Sequence, residues 1–339
     1  MSVPCARVTG ASLVAAMAVG SLLGHAAEPT RLRVAHPNGP AHHMGRTITA
    51  FAEDVKTRTN GAIVVEQQGE NGRPATAFEA VKTGQVEGAG IANFYWPTDG
   101  IQGLGGPIPE MNVTLLPYRL TDINTLKRFP RSEAAKLLEA KVAAKGVHPL
   151  MWIFITNTNL FSSVKAPLVN PGDFKGLRIR SLGGISEDMF RTLGAEPAPM
   201  PPAEVAQWIR DGKGDGGTTD VVAAAGGKWG ETQRYGTVAP VYAVFYLIFV
   251  NDAWWRARTP AEQRAIEAAA ATAEQMAFTL AERASADAVD TLRSGGMSIH
   301  VQTPAERAAW EAALIAPLTR TFLSLSPDCA KVLALVEKL

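Results

Sequence analysis

The chain has almost no cysteine. Among its 339 residues only Cys5 and Cys329 are cysteines, and Cys5 precedes an apolar N-terminal run. Once that run is removed, no intrachain disulfide is possible, and a chain of this length needs none to hold a core. Net charge is equally scarce: 33 Lys and Arg against 32 Asp and Glu leave a formal charge of +1. That balance excludes a basic field for nucleic acid or an anionic membrane. Beyond the N-terminus, long apolar runs are missing. The longest, Val238 to Val250, holds about 13 residues, contains Pro240 and reads as one buried strand. The motifs H-E-x-x-H, C-x-x-C and G-x-S-x-G are absent. No close acid–base pair stands out, so an enzyme reading has no chemistry to rest on. Residues 212–217 match G-x-G-x-x-G, but a helix precedes them, and Asp211 and Asp215 would repel a pyrophosphate. His36, His42 and His43 cluster without a helical i,i+4 pair or a nearby carboxylate. They read as surface or helix-start histidines, not as zinc ligands. No cofactor and no metal is expected.

What is present begins with a leader. Arg7 precedes the small, apolar Val8 to Leu23, and Gly24-His25-Ala26 fits a small-x-small cleavage site. Residues 1–26 are therefore expected to be a secretory signal, with the mature protein in the periplasm. The rest alternates strand and helix patterns: Arg31 to Ala35, then Ala41 to Thr59 with Ile48, Phe51 and Val55 on one face, then Ile63 to Glu66. This rhythm predicts α/β domains with mostly parallel sheets. Trp152 and Phe154 read as core, and Phe94-Tyr95-Trp96 leaves the carboxyl end of a third strand, where Trp96 could line a ligand cleft. Thr259-Pro260-Ala-Glu262 combines an N-cap, a first-position proline and a capping box. No breaker follows until Gly295, so the helix should run roughly 50 Å, longer than one small domain is wide.

The most informative stretch is Phe174 to Asp220. Leu177, Ile179 and Ser181 alternate with Arg178 and Arg180, and Gly183-Gly184 ends that strand before a helix. Arg180 is thus the last charged side chain before a strand-to-helix turn, where open α/β sheets bind ligands. Its planar fork of donors suits a carboxylate. Such a strand-end arginine makes a poor core residue, so its replacement should spare the fold.

Lys175-Gly-Leu-Arg-Ile-Arg180, Leu193-Gly-Ala-Glu-Pro197, Met200-Pro-Pro-Ala-Glu-Val205 and Asp215-Gly-Gly217 together resemble the signature of TRAP transporter solute-binding proteins, the DctP family. The resemblance covers nearly the whole mature chain. It implies a two-lobed periplasmic binding protein fold: two α/β domains around a cleft, with one long helix spanning both. The expected domains are 27–156 plus 245–284 and 157–244 plus 285–339. It further implies a monomeric receptor that hands an organic acid to integral membrane subunits of the transporter. Arg180 is the residue that carries over as the carboxylate partner. Asn159 stands where the family members that bind dicarboxylates or sialic acid typically have a second arginine, Thr219 where an asparagine is frequent, and Pro37 and Ala92 replace further polar contacts. One fixed cation favours a monocarboxylate over a diacid. Arg180, Asn159, Thr219, Asn93 and Trp96 are the expected ligand-binding residues. A ligand sensor for a regulatory system and a periplasmic hydrolase are the rival readings.

Overall fold

A computed structural model describes residues 1, 2, 28–69 and 73–339. The expected signal segment lies almost wholly outside the described residues. Eleven strands form two sheets: β1 (Thr30–His36), β2 (Ile63–Gly69), β3 (Gly88–Ala92), β4 (Val147–Thr156), β5 (Asn159–Ser163), β6 (Arg178–Ser181), β7 (Glu196–Pro199), β8 (Gly216–Asp220), β9 (Tyr235–Ala239), β10 (Val244–Asn251) and β11 (Ser298–Val301). The first sheet has the order β2-β1-β3-β10-β4 and the second β11-β9-β5-β8-β6-β7. Strands β1, β2 and β3 are parallel, as are β6, β7 and β8. The antiparallel members are β10 in the first sheet and β5 in the second. Each stands where the chain crosses between sheets. The first crossing lies between Thr156 and Asn159, and the return between Ala239 and Val244.

That return corrects one expectation. Val238 to Val250 is not a single strand; β9 ends at Ala239 and β10 starts at Val244. Pro240 has no N–H to donate to a ladder. Val241 and Tyr242 instead donate to Asn159 Oδ1, both at 2.9 Å, and Tyr118 N donates to Val241 O at 2.7 Å. A side-chain acceptor therefore replaces the ladder at the crossing.

The helix Pro260–Ser294 starts as its sequence dictates. Thr259 Oγ1 accepts from Glu262 N at 3.2 Å, and Glu262 Oε2 accepts from Thr259 N at 2.7 Å. It packs on the His43–Arg58 helix and β4 in the first lobe, and on the Val221–Gly226 helix and β11 in the second. Its buried face is largely alanine, from Ala269 to Ala281, which lets backbones approach closely. Phe278 stacks on Phe154 at 4.5 Å. Glu274, on the same face, accepts from Trp152 N at 2.9 Å and pairs with Arg131 at 2.7 Å. Burial raises its pKa from 4.5 to about 7.

Two glycines in β8 are dictated by close approach. A Cβ on Gly216 would lie 1.9 Å from Ser162 O, and one on Gly217 would lie 3.0 Å from Arg180 Cβ. The Gly-rich turn thus makes room for the arginine next to it and cradles no phosphate.

Candidate functional site

Arg180 sits on β6 in register with Gly217 of β8. It is 1% exposed and ranks among the largest fully buried side chains. This overturns the expectation that Arg180 is a poor core residue. Its Nε donates to Met200 O at 2.8 Å and its Nη1 to Thr218 O at 2.5 Å. Nη2 has no hydrogen-bond partner among the described residues, and no carboxylate there lies within ion-pair distance of the guanidinium. Desolvation pulls its pKa down, with the phenols of Tyr242 and Tyr95 and the charge of Asp220 opposing. The group nevertheless stays protonated at neutral pH. A buried cation held by carbonyls alone carries an uncompensated charge.

Arg178, two residues earlier, does different work. It pairs with Asp215 through Nε at 3.3 Å and donates to Gly212 O at 3.0 Å. Asp215 also meets Lys165 at 3.0 Å. These contacts hold the Asp215 carboxyl down at about 2 against the effect of burial.

The other expected residues separate. Asn159, fully buried, spends Oδ1 on the crossing segment and leaves Nδ2 without a partner. Thr219 is 2% exposed, two positions beyond Gly217 and hence on the Arg180 face of the sheet. Asn93 is fully used: Nδ2 donates to Thr114 Oγ1 and, at 3.0 Å, to Ala243 O, while Oδ1 accepts from Phe245 N at 3.4 Å. It pins the return crossing instead of facing a ligand. Trp96 is likewise corrected to core. Its ring lies edge-on to Phe78 at 5.9 Å and Phe249 at 5.5 Å, and Nε1 donates to Ile91 O at 3.3 Å.

The structure adds residues that the sequence reading passed over. His36 is wholly buried and His43 is 3% exposed, so neither is a surface histidine. All four of their ring nitrogens lack a hydrogen-bond partner. Burial pushes His36 down to about 4, with Gln67 opposing, and pushes His43 down to about 3, helped by His42. Both are therefore neutral imidazoles, each with one donor and one acceptor to offer. His42 caps its helix by accepting from Met44 N at 3.1 Å, and its ring lies tilted against that of His43, 4.1 Å between centroids. Among the described residues no group of His, Cys, Asp and Glu could hold a metal ion. Tyr242 donates to or accepts from Thr218 Oγ1 at 2.8 Å. Asp220, half-buried at the end of β8, is felt electrostatically by Arg180 and Tyr242 in one lobe and by His42 and Tyr246 in the other.

Two α/β lobes, two crossing strands, a brace helix and a buried arginine with a free nitrogen define the architecture of a two-lobed binding protein. Comparison with known proteins gives the family. Residues 34–324 match the family described as bacterial extracellular solute-binding protein, family 7, DctP. The chain belongs to that family, the solute-binding proteins of TRAP transporters, which are receptors and not enzymes. It is 29% identical over 318 residues to the C4-dicarboxylate-binding periplasmic protein DctP of Rhodobacter capsulatus, covering 91% of each chain. It is 23% identical over 339 residues to the 2,3-diketo-L-gulonate-binding periplasmic protein YiaO of Escherichia coli, covering 98% of each. A TRAP periplasmic solute-binding protein from Sulfitobacter sp. NAS-14.1, solved with bound β-D-galacturonate, superposes with a TM-score of 0.80 at 18% identity, covering 91% of this chain and 100% of that one. Among the described residues no helix is long and apolar enough to cross a membrane.

Proposed function

We propose that the protein is a periplasmic receptor for an organic monocarboxylate, which it delivers to the membrane subunits of a TRAP transporter. The observation that carries this reading is Arg180: a buried guanidinium with one nitrogen unpartnered and no acidic neighbour in pairing distance. A ligand carboxylate would supply the missing charge. Asn159 Nδ2, buried and unpartnered, is placed to add a neutral donor, and Thr219 a hydroxyl. Buried, unpartnered polar groups in both lobes, Asn159 in one and His36 and His43 in the other, accord with lobes 27–156 plus 245–284 and 157–244 plus 285–339 closing on the ligand and releasing it when they part. The proteins it resembles bind both diacids and uronates by name. This chain has one buried arginine at the site and Asn159 where a second would stand, which favours one carboxylate.

Native mass spectrometry of freshly purified protein should show a co-purified monocarboxylate. In a thermal-shift panel, saturation at 100 times the dissociation constant stabilises by about 2.7 kcal/mol, a shift of a few degrees for a chain of this size. Hydroxy and aromatic monocarboxylates should give larger shifts than succinate or malate. A panel led by C4-dicarboxylates would overturn the reading.

A further inference from the structure

Asp220 has a position that the anchor residue does not explain. It ends β8, in register with Asn159 across the ladder, and Thr218, two residues before it, gives its carbonyl to Arg180 and its hydroxyl to Tyr242. One carboxylate oxygen, Oδ1, accepts from Ala223 N at 2.7 Å and caps the Val221–Gly226 helix. The other has no hydrogen-bond partner among the described residues. No lysine, arginine or histidine there lies within ion-pair distance of it. A half-buried carboxylate with one free oxygen therefore stands two residues beyond the carbonyl that Arg180 holds, with Asn159 beside it across the ladder.

We infer that Asp220 is the residue that sets specificity at the Arg180 site: it accepts a hydrogen bond from a hydroxyl on the ligand body and repels any second ligand carboxylate. The inference rests on Arg180 being the carboxylate anchor. An ionised carboxylate can only accept, so an O–H group satisfies it and a second anion does not. Tyr242 and Tyr246 have pKa values raised by burial and stay neutral. Burial lowers the pKa of His42, the histidine that feels Asp220, so it does not offset the negative charge. The ligand class that fits is a hydroxylated monocarboxylate, with its carboxylate on Arg180 and a hydroxyl toward Asp220. Like charges about 6 Å apart at an effective dielectric of about 20 give roughly a 100-fold penalty.

The test uses matched probes that differ only by a terminal hydroxymethyl or carboxylate: D-gluconate against D-glucarate, and 4-hydroxybutyrate against succinate. Affinities are measured by calorimetry for the mature parent, Asp220→Asn, Asp220→Ser and Arg180→Ala. Asparagine and serine both cap helices well, so the Val221–Gly226 helix is kept while the charge goes. In at least one pair, the ratio of diacid to hydroxy-acid affinity should rise about 10- to 100-fold in both Asp220 variants. If the ratio stays within about threefold in both pairs, or if neither Asp220 variant gains measurable diacid binding, the charge of Asp220 is not what discriminates. Arg180→Ala separates the two readings. Loss of binding there with an unchanged ratio in the Asp220 variants sinks only the role of Asp220. Binding that survives Arg180→Ala sinks the anchor itself.

Discussion

Arg180→Ala should lose about 30-fold to several-thousand-fold in affinity for the acid that co-purifies with the parent. Removing one member of a buried, hydrogen-bonded charge pair costs roughly 2–5 kcal/mol, at about 1.4 kcal/mol per decade. The fold will also feel the change. The side chain is 1% exposed and satisfies Met200 O and Thr218 O, and leaving two buried carbonyls unpaired costs about 1–3 kcal/mol each. Affinity therefore has to be read at a temperature well below the variant's own melting point. Arg180→Lys should recover only part of the binding, because a point charge cannot reproduce the planar fork that reaches the carbonyls and a carboxylate together. Arg178→Ala supplies the contrast. Its guanidinium is committed to Asp215 and Gly212 O, so that variant should change stability modestly and affinity little. Calorimetric titration of the three variants decides the matter. Arg180→Ala binding within about threefold of the parent would place the site elsewhere.

The elements that the sequence disclosed are those whose cause is local. The capping box at Thr259 to Glu262 and the breaker-free alanine run placed the helix Pro260–Ser294 within a residue at each end. Alternation around Ile179 placed β6, and the Gly183-Gly184 turn placed the helix after it. What failed depended on tertiary partners. Val238 to Val250 is uniformly apolar, and only the side chain of Asn159, some eighty positions earlier, shows why it breaks where it does. Trp96 follows a strand's carboxyl end, as a cleft residue would, yet Phe78 and Phe249 claim its ring. Asn93 looked like a ligand donor, but Ala243 and Phe245 of the returning chain use its amide. One miss had a signal. His43, Thr47, Phe51 and Val55 recur every four residues and are all buried, which is the spacing of a core-facing helix stripe. Following that stripe back to its first member would have put His43 inside. Nothing local marked His36 or Asp220, since their setting is made by tertiary packing.

Those buried histidines set an acid limit that a second buried group partly hides. His36 falls from 6.5 to about 4 and His43 to about 3 in the folded chain, mainly through burial. Their contribution to stability is complete above pH 6.5 and is lost as pH falls toward the folded values, because the unfolded chain takes up protons that the folded one refuses. Between about pH 7.5 and pH 5 each withdraws about 2 kcal/mol. Glu274 runs the other way. Its pKa rises from 4.5 to about 7, mainly through burial on the inner face of the brace helix. Its contribution is complete below pH 4.5 and is lost as pH climbs through 7, so over the same interval acidification returns about 2 kcal/mol. From these three groups the parent should therefore lose only about 2 kcal/mol on going from about pH 7.5 to pH 5. Glu274→Gln keeps an acceptor for Trp152 N while abolishing the titration, and should lose about 4 kcal/mol over the same interval. Urea unfolding of both proteins at the two pH values measures the difference. Equal losses would mean that Glu274 does not titrate in this range. No loss in the Gln variant would mean that His36 and His43 are not held neutral by burial.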